Sequence, residues 1–531
     1  MKSKNLNYGM LPLSLAMALG AGGCAKMQSA KAPNVLIIMT DEQSFRTLGC
    51  YREQLDEQHG SPWGEGLNVE TPHLDRLAHE GAIYTNYYAS SPVSTPSRAT
   101  LQTGLYPVAT GAAINGMSMS AKCTGFAQRL KGEGYHTTYV GKWHLAGVPP
   151  IGELYLQPGY DFGYIDREYM FESGHAKWYH ESGDPLRIAA MYAQPKPMDS
   201  DLYSTDYLTN RCLEKLEKLK DQRFCMMLSI PDPHSPDISR EPYTAQYKSM
   251  DLAAPETYEL GGEDKRPGWA VGGKSEAPDF DAVQMQKYFG MVKCIDDNIG
   301  RVLGFLDDNN LAENTIVIFT CDHGDMLFEH HRLNKDVPYE AAAKVPMLVR
   351  YPRAIKAGKV IEGACSNIDF VPTLLALTGS PQIEGVHGQD ISADLLSDVM
   401  RVTSERIVYM HDSPFNEWTA ATDSRYKLVL SCKDTPWLYD KLSDPMERVN
   451  LYSDPKHKAI AERLQAELLR QMELFEDPAI ALGRPYLLSA DAKNNYVPIY
   501  DGLSPKQIKE VETETLDRCI RDIHKYCYSG R

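Results

Sequence analysis

The chain predicts an α/β fold: a large, mostly parallel sheet sandwiched by helices, then a smaller C-terminal antiparallel sheet carrying one helix. Three observations predict it. Short, continuous apolar runs at Asn34–Met39, Phe224–Ile230 and Thr315–Phe319 end in polar residues, as buried parallel strands do. Helical patterns lie between them. The clearest sets Tyr288, Met291, Val292, Ile295, Ile299, Val302 and Leu306 on one stripe at three-to-four spacing. Near residue 400 the texture changes to short strand candidates at Arg406–Met410, Tyr426–Leu430 and Trp437–Asp440. A helix over about Lys456–Glu476 follows, with Ile460, Leu464, Leu468 and Met472 four apart.

The N-terminus reads as an export signal. Lys2 and Lys4 form a positive start, Leu11–Leu19 is an apolar stretch too short to span a bilayer, and Ala21-Gly22-Gly23-Cys24 resembles a lipoprotein cleavage box. The expectation is an exported lipoprotein, periplasmic or at the cell surface, anchored at Cys24. No later run reaches ~18 consecutive apolar residues, so a membrane enters only through that anchor. Residues after Pro478 are dotted with Pro and Tyr and become helical near Ile508–Ile523.

A net charge of -16 excludes a nucleic-acid or anionic-membrane footprint, which needs a basic face. Any site for an anion must therefore focus its positive charge locally. The ten cysteines after Cys24 show no CxxC or CxxxC spacing, which argues against a thiolate zinc site or a redox pair. They read as small buried hydrophobes, a disulfide or two aside. Cys519 and Cys527, eight apart on a predicted helix, are too distant to bridge each other.

Potential metal ligands follow each of the three apolar strands: Asp41 and Glu42 the first, Pro231-Asp232-Pro233-His234 the second, Asp322-His323-Gly324 the third. In open α/β sheets the ligand crevice lies beyond the carboxyl ends of the strands, so these groups should converge there. That spacing alone points to a metal-assisted hydrolase.

Residues 94–104, Ser-Thr-Pro-Ser-Arg-Ala-Thr-Leu-Gln-Thr-Gly, resemble the sulfatase signature Cys/Ser-x-Pro-Ser-Arg ending in Thr-Gly. A second sulfatase signature, Gly-Tyr-x-Thr-x-x-x-Gly-Lys-x-His, is matched by Gly134, Tyr135, Thr137, Gly141, Lys142 and His144. The resemblance runs from about Asn34 to Pro352 and weakens beyond. It implies an alkaline-phosphatase-like fold with a signal peptide at 1–24, a sulfatase catalytic domain at 31–400 and a C-terminal subdomain with extension at 401–531.

It also implies a chemistry. A plain serine is a poor nucleophile; in the family the Cys or Ser at this position is oxidised to formylglycine, here from Ser94. Its hydrate attacks sulfur, and the second hydroxyl then expels sulfate. A Ser-type signature implies a radical-type sulfatase-maturating enzyme as partner. Asp41, Glu42, Asp322 and His323 match the metal ligands, with Ser94 completing the shell. Arg98 and Lys142 match groups that hold the diol, His144 the base that collapses the sulfated intermediate, and His234 and Lys335 the groups that bind sulfate and protonate the leaving oxygen.

Glu42 stands where Asp is more usual, and His323 where many members have Asn. Oxygen ligands favour Ca²⁺ and an imidazole suits Mn²⁺ or Zn²⁺. Relatives with Asp-His here imply Ca²⁺, with Mn²⁺ or Mg²⁺ as alternatives. The expected substrate is a sulfated carbohydrate of glycosaminoglycan or mucin type. The alternatives are a phospho- or phosphonate-monoester hydrolase on the same fold, or a non-catalytic glycan-binding protein on a sulfatase scaffold. A two-zinc phosphatase needs a second His and Asp cluster, and none is evident in the sequence.

Overall fold

The computed structural model describes residues 32–146, 161–172, 175–179, 200–259, 266–271, 275–412, 418–431, 434–475 and 477. The signal segment with Cys24, residues 147–160, and everything after 477, with Cys519 and Cys527, lie outside the described residues.

Eleven strands precede the C-terminal sheet: β1 (Asn34–Asp41), β2 (Ala82–Tyr84), β3 (Tyr87–Tyr88), β4 (His136–Lys142), β5 (Asp166–Phe171), β6 (Phe224–Pro233), β7 (Thr315–Cys321), β8 (Met347–Arg350), β9 (Lys359–Ile361), β10 (Cys365–Ser366) and β11 (Arg401–Val402). Nine of them form one sheet in the order β11-β9-β2-β8-β7-β1-β6-β4-β5, and β3 pairs with β10 apart from it. Only β8 runs against its neighbours β2 and β7; the other pairings are parallel. The three apolar runs read from the sequence are thus the adjacent central strands β7, β1 and β6.

Strand periodicity sends alternate side chains to opposite faces. Val35, Ile37 and Met39 of β1 join a core with helices Ser94–Thr103, Phe126–Gly132 and Phe370–Thr378. Leu36 and Ile38 join the opposite core with helices Pro72–His79, Ser204–Leu219 and Ala282–Asp308. The predicted stripe on the last of these helices is buried throughout. Helices therefore cover both faces, as the continuous apolar strands require.

The large sheet extends as far as β11. The smaller sheet follows with β12 (Val408–His411), β13 (Trp418–Thr422), β14 (Tyr426–Ser431) and β15 (Trp437–Asp440), antiparallel and in that order. Helix Lys458–Leu474 covers one face through Ala461, Leu464, Leu468 and Met472. The other face packs Met410, Trp418, Ala420 and Val429 on Val337, Tyr339 and Ala341 of the main body. β13 was missed in the sequence: Trp-Thr-Ala-Ala-Thr has too few bulky apolar residues to show a period. The cysteines among the described residues are buried thiols, and none of those forms a disulfide. No helix there is long and apolar enough to cross a membrane.

Candidate active site

The nominated side chains meet at the carboxyl ends of β1, β4, β6 and β7. Asp41 and Lys142 are the last residues of β1 and β4, His234 follows β6, and Asp322-His323 follows β7. Gly141 is needed to bring Lys142 there: it has φ +108°, and a Cβ on it would lie 1.9 Å from the Ser229 carbonyl oxygen. Ser94 opens helix Ser94–Thr103, with Pro96 in the first turn, where its missing N–H is tolerated.

Ser94 Oγ donates to His323 Nε2 at 2.9 Å. His323 Nδ1 lies 2.9 Å from the Gly324 carbonyl, to which it donates, so Nε2 keeps its lone pair. Burial lowers this imidazole to about 4, leaving it neutral and fit to ligate. Arg98 Nε donates to Asp322 Oδ2 at 2.8 Å, and its Nη1 donates to the Lys142 carbonyl and Ser229 Oγ, both at 2.9 Å. Lys142 Nζ donates to Asp41 Oδ2. Burial alone would raise the Asp41 carboxyl, yet Lys142, with His234, His175 and Arg98, holds it well below the usual range.

Glu42 sits at φ 65°, its N–H donating to Asp322 Oδ1 at 3.2 Å. Its Oε2 faces His234 Nε2 at 3.1 Å and Lys335 Nζ at 3.2 Å. Burial pushes the Glu42 carboxyl well above its ordinary range against the pull of Lys335, and Asp325 and Asp41 add to the rise. His144 (φ 59°) lies beside this cluster. Burial first, then Lys142 and Arg98, lower its imidazole well below the usual value.

Asp41, Asp322 and His323 bring three ligating atoms within 4.8 Å of one another. Asp41 Oδ1 and Glu42 Oε1 are buried with no hydrogen-bond partner among the described residues. Buried carboxylate oxygens left bare are costly, and a hard divalent cation is what such a donor set accommodates. The residues fit a metal ion.

One site residue escaped sequence reasoning. His175, from the segment between β5 and helix Ser204–Leu219, places Nε2 3.1 Å from Asp41 Oδ2 and 2.8 Å from Lys142 Nζ. Its ring stacks on His234 with centroids 3.9 Å apart and planes 8° off parallel. Asp41, His175 and His234 thus form a second ligand-like grouping, which corrects the expectation that the chain has no second His and Asp cluster. The Lys142 ammonium stands among them, so a lysine already supplies positive charge at that spot.

A mostly parallel α/β sheet whose strand ends gather carboxylates, imidazoles, a buried arginine and a hydroxyl at a helix start has the groups that hydrolysis of an anionic ester needs. The comparisons narrow the class. The sulfatase family model matches residues 33–380, and the model of the N-sulphoglucosamine sulphohydrolase C-terminal region matches residues 328–473. The chain belongs to the sulfatase family and is a sulfuric ester hydrolase.

Among its relatives, the uncharacterized sulfatase YidJ of Escherichia coli (strain K12) is 30% identical over 472 residues, covering 84% of this chain and 88% of that protein. The N-acetylglucosamine-6-O-sulfatase of Bacteroides thetaiotaomicron is 26% identical over 541 residues, covering 87% and 89%. In fold, the chain resembles BT4656, solved in complex with its substrate D-glucosamine-2-N,6-O-disulfate (TM-score 0.67, 22% identity, 84% of this chain and 99% of that one). It also resembles the phosphonate monoester hydrolase of Agrobacterium radiobacter (TM-score 0.65, 22% identity, 83% and 96%).

Proposed function

We propose that the chain removes an O-sulfate from a carbohydrate, with residue 94 as formylglycine and Ca²⁺ held by Asp41, Glu42, Asp322, His323 and residue 94. The observation that carries this reading is the position of Ser94: its Oγ lies against His323 Nε2 beside the buried Asp41–Lys142 and Asp322–Arg98 pairs. When bound, the cation would act as a Lewis acid on oxygens at residue 94 and on the ester.

The chain's own residues supply the rest. Arg98 and Lys142 balance negative charge at residue 94, each fixed by a buried carboxylate. His144, held neutral, can accept a proton. His234 and Lys335, facing one another's common partner Glu42, hold the sulfate group and deliver a proton to the departing oxygen. The chain's acidic surface charge leaves this pocket as the local focus of positive charge that a monoanionic ester needs.

Several relatives support a sugar substrate. They include the Bacteroides N-acetylglucosamine-6-O-sulfatase and N-acetylgalactosamine-6-O-sulfatase and the ulvan-active sulfatase of Formosa agariphila. The export signal, the Cys24 anchor, the division at residue 400 and a radical-type maturase belong to the same reading. Sulfate release from a panel of defined sulfated saccharides tests it: turnover of at least one is expected, and none by the converted, metal-loaded protein would reject it. The grouping of Asp41, His175 and His234 favours a second reading, a phospho- or phosphonate-monoester hydrolase. Phenyl phosphonate esters in the same panel decide between the two.

A further inference from the structure

His175 lies in neither signature, yet it touches both halves of the site. On one side its Nε2 is 2.8 Å from Lys142 Nζ. An ammonium has three N–H bonds. Asp41 Oδ2 takes one, and with the proton of a neutral His175 on Nδ1 the ring Nε2 takes a second, so the direction of the third is fixed. On the other side the His175 ring lies flat on His234 at 3.9 Å, while His234 Nδ1 sits 2.7 Å from the Ser235 carbonyl. The stack and that hydrogen bond together leave the His234 ring one orientation, with Nε2 toward Glu42.

The backbone around His175 is held accordingly. Lys177, two residues on, buries its ammonium against Asp232 Oδ1 (2.5 Å) and the His234 carbonyl (2.7 Å). Asp232 in turn accepts from Thr205 Oγ1 at 2.6 Å. Tyr179 N–H donates to the Leu202 carbonyl at 2.7 Å, and Ser204 N–H to the Lys177 carbonyl at 2.8 Å. A surface histidine would not need such bracing.

We propose that His175 is a positioning residue of the sulfatase site, aiming the Lys142 ammonium through its Nε2 and the His234 ring through its face. The proposal rests on the roles given above to Lys142 and His234. The polar contacts of its Nε2, to Lys142 and Asp41, and the stack on His234 can be removed separately. His175→Phe keeps a flat ring on His234 and loses the acceptor for Lys142. His175→Gln keeps an acceptor and loses the ring.

The test uses full-length, metal-loaded protein with conversion of residue 94 verified by mass spectrometry. The substrates are 4-nitrophenyl sulfate and N-acetylglucosamine-6-sulfate. His175→Phe is expected to lower kcat for both esters alike, by roughly 10–100-fold, the scale of a small misplacement. His175→Gln is expected to lower turnover of the sugar ester at least ~10-fold more than that of the aryl ester, because only the former needs a proton on its leaving oxygen. In a His234→Ala background, His175→Gln should add nothing.

Crystal structures of the two variants give a readout independent of turnover. In His175→Phe the Lys142 Nζ should leave its place while His234 stays, and in His175→Gln the reverse. Both side chains unmoved in both variants, or effects of His175→Gln and His234→Ala that multiply, would overturn the proposal. Failure of the His234 role shows itself differently: His234→Ala alone would then treat the two esters alike while the His175→Phe structure still shows a displaced Lys142.

Discussion

His234 and Lys335 converge on a single oxygen, with Nε2 and Nζ at 3.1 and 3.2 Å from Glu42 Oε2. Two candidate proton donors therefore border the same point of the cleft, and chemistry must separate them. A sugar alkoxide leaves poorly without a proton, whereas nitrophenolate leaves readily. General acid catalysis is worth roughly 10²–10⁴-fold. His234→Ala is expected to reduce sugar-sulfate turnover within that range and aryl-sulfate turnover far less. Equal losses on both esters would pass the acid role to Lys335, and steady-state kinetics of His234→Ala and Lys335→Ala on both substrates decide it.

Asp322 uses both oxygens at once: its Oδ2 accepts from Arg98 Nε, and its Oδ1 from the Glu42 and His323 backbone N–H groups. Asp322→Asn removes an anionic oxygen from a hard-cation site and leaves Arg98 short of its closest carboxylate. The expected result is loss of bound metal and of most activity, read by metal analysis beside turnover. A variant with full metal occupancy and unchanged turnover would refute the ligand assignment.

Burial is the first cause that holds His144, His175, His234 and His323 below the ordinary imidazole value, to about 4 for His175 and His323. The folded state thus binds fewer protons than the unfolded chain below pH ~6.5. Stability is full above that pH and falls as pH drops toward 4, by roughly 1.4 kcal/mol per pH unit for each such histidine. Urea unfolding at pH 7.5, 6.5 and 5.5 should show this slope. His323→Asn should flatten it, and an unchanged slope would contradict the neutral state of that ring.

Side chains of the C-terminal region hold the backbone that follows Lys335. Lys427 Nζ donates to the Pro338 carbonyl at 2.7 Å, Glu447 Oε2 accepts from the Glu340 N–H at 2.6 Å, and Trp418 Nε1 donates to the Asp336 carbonyl at 3.2 Å. These three bonds clamp the turn that carries Lys335. Lys427→Met also leaves the buried Glu340 and Glu447 carboxylates without their shared cation. A loss of about 3–5 kcal/mol is expected, together with weaker turnover. Denaturation and kinetics at a temperature where the variant is folded check the two effects separately.

The strand-end acids and imidazoles were legible in the sequence because buried parallel strands are continuous apolar runs whose ends are abrupt. Asp41, Glu42, Asp322 and His323 stand directly after such ends. The direction of β8 was not legible, since Met-Leu-Val-Arg reads the same whichever way it pairs. His175 was hidden for a related reason. It lies on an irregular segment, and long-range contacts such as that of Lys177 with Asp232 bring it to the site. Local pattern reports burial and period; it does not report which distant loop folds over a given strand end.

Ser94 is 1% exposed at the start of its helix. If residue 94 is converted to formylglycine as proposed, a protein catalyst could not reach that side chain in the finished fold. On that reading the substrate of conversion is the chain before the helix at 94–103 has docked on the sheet, so order of events becomes part of the chemistry. Modification would then precede folding, and any condition that speeds early collapse of the N-terminal half should lower the yield of converted protein without altering a single contact in the native state.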